Sequence, residues 1–223
     1  MRQHLYNATV TGTIVTSAGS ITFQHRVDSN NHIMFFDFFT TGDEKNFTIN
    51  YVPEGTPMSR PSSSYVPNPD PYCNATKYNG REYQVCSYDL LAGGDMAVGY
   101  TVDDDDSHKT LYVTIDNSVP FGIQRPVLAK DNVYKALDKL INADQKAMYD
   151  AHVQWWHKFY QKSFLSIPDT KYESFYWIQV RSPVTALASS CTSTPLPLVV
   201  RVRTTAGLMI SWDRMNRSLP LIA

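Results

Sequence analysis

Residues 152–179 read HVQWWHKFYQKSFLSIPDTKYESFYWIQ. Three of the four tryptophans, Trp155, Trp156 and Trp177, fall in this stretch. Its first half has helical spacing. Met148, Ala151, Trp155 and Phe159 share one face, and His152, Trp156 and Tyr160 form the adjacent stripe. An apolar arc that wide predicts a helix, ending near Lys162, buried against more than one neighbour. Residues 163–167 read as extended, because Pro168 biases its predecessor away from the α region. Asp169 predicts the cap of a further helix over TKYESFYWIQ.

Upstream of this stretch the chain changes period. From Asp131, a predicted N-cap, Val133, Leu137, Leu140 and Ile141 form one apolar stripe. Asn142 and Gln145 resemble a capping box that restarts the helix. Before them the pattern is β. Residues 5–12 alternate, followed by a turn at Ser17–Ser20, a strand from Ile21 to Val27 and a turn at Asp28–Asn31. The run from His32 to Thr40, with IMFFDFF inside it, predicts a strand buried on both faces. After a turn at Thr41–Glu44, Phe47–Val52 pairs back. Residues 53–80 predict a long surface excursion, since Pro53, Pro57, Pro61, Pro67, Pro69 and Pro71 remove ladder donors. Strands resume at Glu82–Leu91, Met96–Val102 and Thr110–Asn117, with a hairpin at Gly93-Gly94-Asp95.

Downstream, residues 180–223 change composition. All fourteen tyrosines, all ten lysines and all four glutamates precede them, whereas five of the ten arginines lie within them. The segment shows neither helical nor clean strand periodicity. A natural β tail is one explanation. A segment foreign to the fold, as from a frameshift, accounts better for so sharp a switch, and disorder is the expectation there.

Composition excludes several classes. With 223 residues and 43% hydrophobic content, the chain can bury a core without metals. A net charge of −1 offers no basic field for nucleic acid. No apolar run approaches the roughly 18–20 residues of a membrane span. The opening MRQHLYNATV has no signal-peptide core and starts in strand alternation, which predicts an internal start. Cys73 and Cys86 bracket a turn and are either a local disulfide or two free thiols; Cys191 has no evident partner. Sequons occur at Asn7, Asn46, Asn74 and Asn216, a pattern Thr-rich strands produce by chance.

Catalytic candidates are few. No phosphate loop, nucleophile elbow or HExxH zinc motif is present. His152 and His157 point about 140° apart on a helix, wrong for two ligands of one metal. His25 and His32 flank one turn and could meet across strands, with no carboxylate or thiol pattern beside them. Asp103–Asp106 lacks the spacing of a calcium loop and reads as a solvated turn. Asp169 and Glu173 could project as a carboxylate pair, but a cap and a first-turn acid are simpler roles for them. The aromatics Trp155, Trp156, Phe159, Tyr160, Phe175, Tyr176 and Trp177 could stack on sugar rings or pack as a core. No metal or cofactor is expected.

The run W-W-H-x-F-Y-x-K-S-F-L-S-I-P-D-x-x-x-E-S-F-Y-W-I-Q, Trp155 to Gln179, closely resembles a segment of six-hairpin glycosidases related to the inverting α-L-fucosidase group. Weaker matches are L-x-N-A-T-V-T-G-x-I from Leu5, T-G-D-E-K from Thr41, Arg60, and C-x-Y-D-L-L-A-G-G-D from Cys86. The resemblance covers roughly residues 5–179. It implies a mainly β fold: an antiparallel β-supersandwich, residues 1–128, then a helical linker, 129–168. Residues 169–179 would be the first helix of an incomplete (α/α)6 barrel, and 180–223 an anomalous tail. In such proteins the barrel supplies the acid and base that hydrolyse a glycan, and no residue here matches them. The expectation is an inactive N-terminal fragment whose sandwich scaffolds a missing barrel and leaves apolar surface where it would pack. Its full-length relative would act on carbohydrate outside the cell or in the periplasm. The rivals are a free-standing carbohydrate-binding sandwich, with exposed Tyr or Trp in a row, and a non-catalytic interaction domain.

Overall fold

Period-2 alternation in the first half of the chain becomes an antiparallel sheet. The computed structural model describes residues 1–52, 70–90, 93–105, 107–118, 128–162, 165–178, 199–203 and 209–212. Nine strands come first: β1 (Arg2–His4), β2 (Thr9–Val15), β3 (Gly19–Val27), β4 (Ile33–Gly42), β5 (Thr48–Val52), β6 (Tyr72–Tyr78), β7 (Arg81–Asp89), β8 (Asp95–Asp105) and β9 (His108–Asn117). Helices α1 (Ala129–Ile141), α2 (Gln145–Lys162) and α3 (170–178) follow, then strands β10 (Val199–Arg203) and β11 (Met209–Trp212). One sheet has eight strands in the order β1-β2-β3-β4-β9-β8-β7-β6, and a second has the order β11-β10-β5. All pairings are antiparallel. The fold is mainly β, a sandwich-type antiparallel architecture followed by helices.

The large sheet buries both faces at its centre. One face carries Val10, Ile21, Phe23, Phe36, Phe38, Val98, Leu111 and Val113, against which Phe47 and Ile49 pack. The other carries Ile33, Phe35, Tyr83, Val85, Ala97 and Tyr112, covered by Ala129, Val133, Leu137 and Leu140 of α1. The expectation of two buried faces for β4 holds for Ile33, Phe35, Phe36 and Phe38. It fails at Asp37, which is half-buried, and at Phe39, which is 48% exposed, because α1 covers the β7–β8–β9 side and leaves that end of β4 open.

Gly99 on β8 lets the helix sit so close. A Cβ there would overlap Val133 Cγ1 and come within 3.2 Å of Val85 Cγ2 and 3.3 Å of Leu137 Cδ1. The α1 N-terminus is held from the same strand: the Ala129 N–H donates to an Asp95 carboxylate oxygen at 3.0 Å. Leu128 is the cap position and Asp131 lies in the first turn, so Asp131 is not the N-cap that periodicity suggested. The next restart is also displaced. Asn142 closes α1. Asp144 caps α2 by accepting the N–H groups of Lys146 and Ala147, each at 3.0 Å.

Two other expectations need correction. Residues 5–8 form the β1–β2 turn, closed by the Ala8 N–H to the Leu5 carbonyl at 3.0 Å, with Ala8 at φ 49°. Their alternation belongs to a turn flanked by true strands. Strand β6 falls inside the supposed 53–80 excursion. It is an edge strand, exposed along nearly its whole length, so no apolar alternation marks it. Its signal is Asn79-Gly80, at φ 49° and 82°, a two-residue hairpin turn that needs positive φ at both positions. Register places Cys73 opposite Cys86 with Cα atoms 4.0 Å apart, and they form a disulfide. Residues 53–69 with Arg60, and Asp106, Gln179, Cys191 and Asn216, lie outside the described residues.

A methyl group at Gly99 collides with a β-branched side chain that cannot swing away. Gly99→Ala should therefore destabilise the fold by roughly 1–3 kcal/mol in urea unfolding, and adding Val133→Ala should recover part of that loss. Alkylation of the unfolded, unreduced chain should reach one cysteine of the three.

Candidate functional site

The uncovered part of the α1-side sheet face is polar. Register stacks its residues in rows across β3, β4, β9 and β8. Gln24, Asp37, Thr110 and Asp103 form one row, and Thr22, Phe39, His108 and Asp105 the next. Arg26, Phe35, Tyr112 and Thr101 form the third. The period of two puts alternate residues of each strand on this face. Gln145, Lys146 and Tyr149, from the first turns of α2, wall one side. They enclose a groove of about 540 Å³ lined by Gln24, Arg26, Asp37, Phe39, His108 and Tyr149 among others.

Charges in the groove are paired. Arg26 Nη1 donates to Asp37 Oδ2 at 3.1 Å, and the Thr110 hydroxyl donates to Asp37 Oδ1 at 2.9 Å. His108 Nε2 lies 3.6 Å from the same Oδ1. The Arg26 guanidinium sits over the Phe35 ring at 4.1 Å and the Tyr149 ring at 5.4 Å. Arg81 binds Asp103 at 2.9 Å, and Lys109 binds Asp104. Lys146 reaches Asp150 on its own helix at 2.7 Å. Burial, then the nearby carboxylates of Asp103 and Asp37, push the Tyr112 phenol up to about 12, so it stays protonated. Asp37 and Asp103 are occupied as acceptors.

The position of α2, and so of the groove wall, depends on two histidines. His152 is fully buried. Its Nε2–H donates to the Asn7 carbonyl at 3.1 Å, and its Nδ1 accepts the Ser29 N–H at 3.1 Å. This neutral tautomer ties the helix to the 5–8 and 28–32 turns at once. His157 Nε2–H donates to the Asn7 side-chain oxygen at 3.0 Å, and its ring stacks on Tyr6 at 3.7 Å. Both histidines thus grip Asn7 and neither is placed to share a metal. Among the described residues no three His, Cys, Asp or Glu side chains cluster as metal ligands.

The remaining candidates are structural. His25 is buried, stacked on Phe36 at 4.1 Å, with Nδ1 3.1 Å from the Phe35 carbonyl. It pairs in register with Phe36, while His32 lies in the exposed turn, so the two do not meet. Asp103, Asp104 and Asp105 continue β8 instead of forming a turn, because each has a partner on β9. Asp169 caps α3 by accepting the Lys171 and Tyr172 N–H groups at 2.9 and 3.3 Å. Glu173 turns back to the Ile167 N–H at 3.0 Å. The two carboxylates are spent on the helix start and do not form a catalytic pair. The aromatic run packs on itself: Trp156 and Tyr160 are buried with Ala8, and Trp155, Phe159 and Trp177 lie against them. Phe175 stays 53% exposed. Sequence reasoning missed the groove altogether. Its one signal was the lone Asp37 inside IMFFDFF, a charge on a strand that otherwise reads as core.

No protein-family model matches the chain, and no curated protein matches it. Among solved structures it is similar to one provisionally named a kojibiose phosphorylase from the human microbiome. That match has 12% identity and a TM-score of 0.44, over 70% of this chain and 22% of the other. The chain therefore spans about a fifth of that neighbour's length. What it does is a question for its own residues.

Burial holds the His152 pKa below its ordinary value, against the opposing pull of Asp28 and the Asn7 bond. The unfolded chain takes up this proton near pH 6.5, and the folded chain only at lower pH. Between those points the unfolded state binds more protons, so this contribution is complete above about pH 6.5 and shrinks as pH falls. Melting temperature should drop more steeply from pH 7 to 5 in the native chain than in His152→Gln. His152→Ala, which strands a buried donor and acceptor, should cost roughly 2–4 kcal/mol at neutral pH by urea unfolding.

Proposed function

We propose that the chain is the N-terminal sandwich and linker of a six-hairpin glycoside hydrolase-like protein acting on glycans, and that it is inactive alone. On this proposal residues 1–128 are the sandwich and 129–168 the linker. Residues 169–179 begin the helical barrel; the tail beyond them is not wholly disordered as its composition suggested, since β10 pairs with β5 and β11 with β10. The barrel would carry the acid and base and the sandwich would hold it in place. The resemblance of Trp155–Gln179 to that family motivates the proposal.

The observation that carries it is on α3. Tyr172 and Phe175 are 65% and 53% exposed, with Ile178 also largely exposed. Their spacing of three puts them along one side of the helix. The opposite side, through Trp177, packs on Tyr160 of α2 with ring centroids 5.4 Å apart. A helix seated on one side and apolar on the other suits a first barrel helix awaiting its neighbours. The Cys73–Cys86 disulfide supports maturation in an oxidising compartment, extracellular or periplasmic. The rival carbohydrate-binding sandwich calls for a row of exposed Tyr or Trp. Of the exposed aromatics among the described residues, Tyr6, Phe39 and Tyr72 lie on separate parts of the β region, and Tyr172 and Phe175 lie on the helix α3, so none forms a row on a strand face.

The purified chain should release no nitrophenol from a panel of aryl glycosides. When mixed with a separately produced (α/α)6 barrel of a six-hairpin glycosidase, it should associate, and Phe175→Asp should abolish association. Turnover by the chain alone, or indifference of association to Phe175→Asp, would overturn the proposal.

A further inference from the structure

We propose that the groove between the β3–β4–β9 face and the start of α2 is a binding site for an uncharged oligosaccharide. The inference stands on the groove lining and goes beyond the hydrolase proposal.

Four observations point to this ligand class. The first is size: about 540 Å³ falls within the usual range for small-molecule sites. The second is a flat platform. Phe39 is 48% exposed, and its ring lies parallel to that of His108, at 4.4 Å between centroids and 4° between planes. One face of the ring is covered by the imidazole, and the exposed remainder is an apolar surface of the kind that takes the C–H face of a pyranose. Such a ring binds at low entropic cost because its side chain is already ordered.

The third is charge balance. Arg26 is held by Asp37, Asp103 by Arg81, and Lys146 pairs at the surface with Asp150, which leaves Asp105 as the one lining carboxylate without an ion pair among the described residues. A phosphate would need an uncommitted cation and a metal an uncommitted set of acids. The pairing favours a neutral ligand that takes many directional hydrogen bonds. The fourth is spare donor capacity on Arg26. Its side chain is only 5% exposed and, among the described residues, makes one hydrogen bond, to Asp37, beside its contacts with the Phe35 and Tyr149 rings. Nε is buried without a partner. A guanidinium has five N–H donors, so a group removed from water is left mostly unspent beside a groove. Gln24 and Gln145, which both donate and accept, line the same space and suit hydroxyl groups.

The test is a heteronuclear NMR titration of the intact chain with maltotriose, cellotriose and 2′-fucosyllactose, each to about 10 mM. The charged controls are 3′-sialyllactose and inorganic phosphate. At least one neutral trisaccharide should shift the amides of Gln24, Phe39, His108 and Tyr149. Phe39→Ala should weaken binding about tenfold, the worth of one aromatic contact, while Tyr72→Ala on the edge strand β6, outside the groove lining, leaves it unchanged. Gln24→Ala gives a second variant should Phe39→Ala fail to fold, and it should weaken binding also. The proposal is overturned if no neutral sugar binds, if shifts map elsewhere, if both groove variants bind like the native chain, or if a charged control binds more tightly. Loss of barrel association in the preceding experiment would leave this result untouched, so the two readings fail separately.

Discussion

The close seat of α1 on β8 is the constraint from which the rest follows. A helix approaches a sheet to the depth its interface side chains permit, and at the centre of this interface the sheet has none. Gly99 leaves room for Val133, and the helix covers Val85, Ala97 and Tyr112 as a result. Asp95, on the same strand, caps the helix. One strand therefore sets both the depth and the start of α1. Since α1 and α2 are joined by only Asn142, Ala143 and Asp144, the direction in which α2 leaves the sheet is largely fixed as well.

What remains free is the rotation of α2, and His152 removes it. A buried imidazole must satisfy both nitrogens, and here the partners are backbone groups of two turns more than twenty residues apart. This aligns the first turns of α2 over the polar end of the sheet and its last turns over Ala8. The same rotation turns Trp156 and Tyr160 inward and leaves Trp155 and Phe159 half-covered, which is where α3 lies. One hydrogen-bonded side chain thus places both the groove wall and the aromatic seam.

The legibility of these features in the sequence followed their range. Strands with one apolar face and the helices depend on spacing within ten or so residues, and they were readable. The resemblance of Trp155–Gln179 to a known family extended the reading but did not supply the contacts. Elements governed by partners were not readable. β6 has no apolar face because it is an edge, so only Asn79-Gly80 marked it. Asp131 was preferred as a cap because it stands in the right place locally, whereas the acceptor used, Asp95, comes from another strand. The groove was hidden for the same reason. Gln24, Arg26, Asp37 and His108 are scattered over more than eighty residues, and only cross-strand register assembles them.

The two exposed regions of the protein are therefore different in kind. The α3 stripe of Tyr172, Phe175 and Ile178 is apolar and continuous along one side of the helix. The groove is polar, and its cations and two of its acids are matched within the chain, so it needs no further chain to be stable. Unmatched surface implies a covering layer, because water does not reward exposed Phe and Tyr. Matched polar surface implies nothing of the sort, unless it is also costly to maintain. Here the cost of a largely buried guanidinium is offset in part by its ion pair with Asp37 and by the Phe35 and Tyr149 rings beneath it. What stays unmatched is Nε, buried without a partner among the described residues, and that residual cost is what the proposed ligand-binding role addresses.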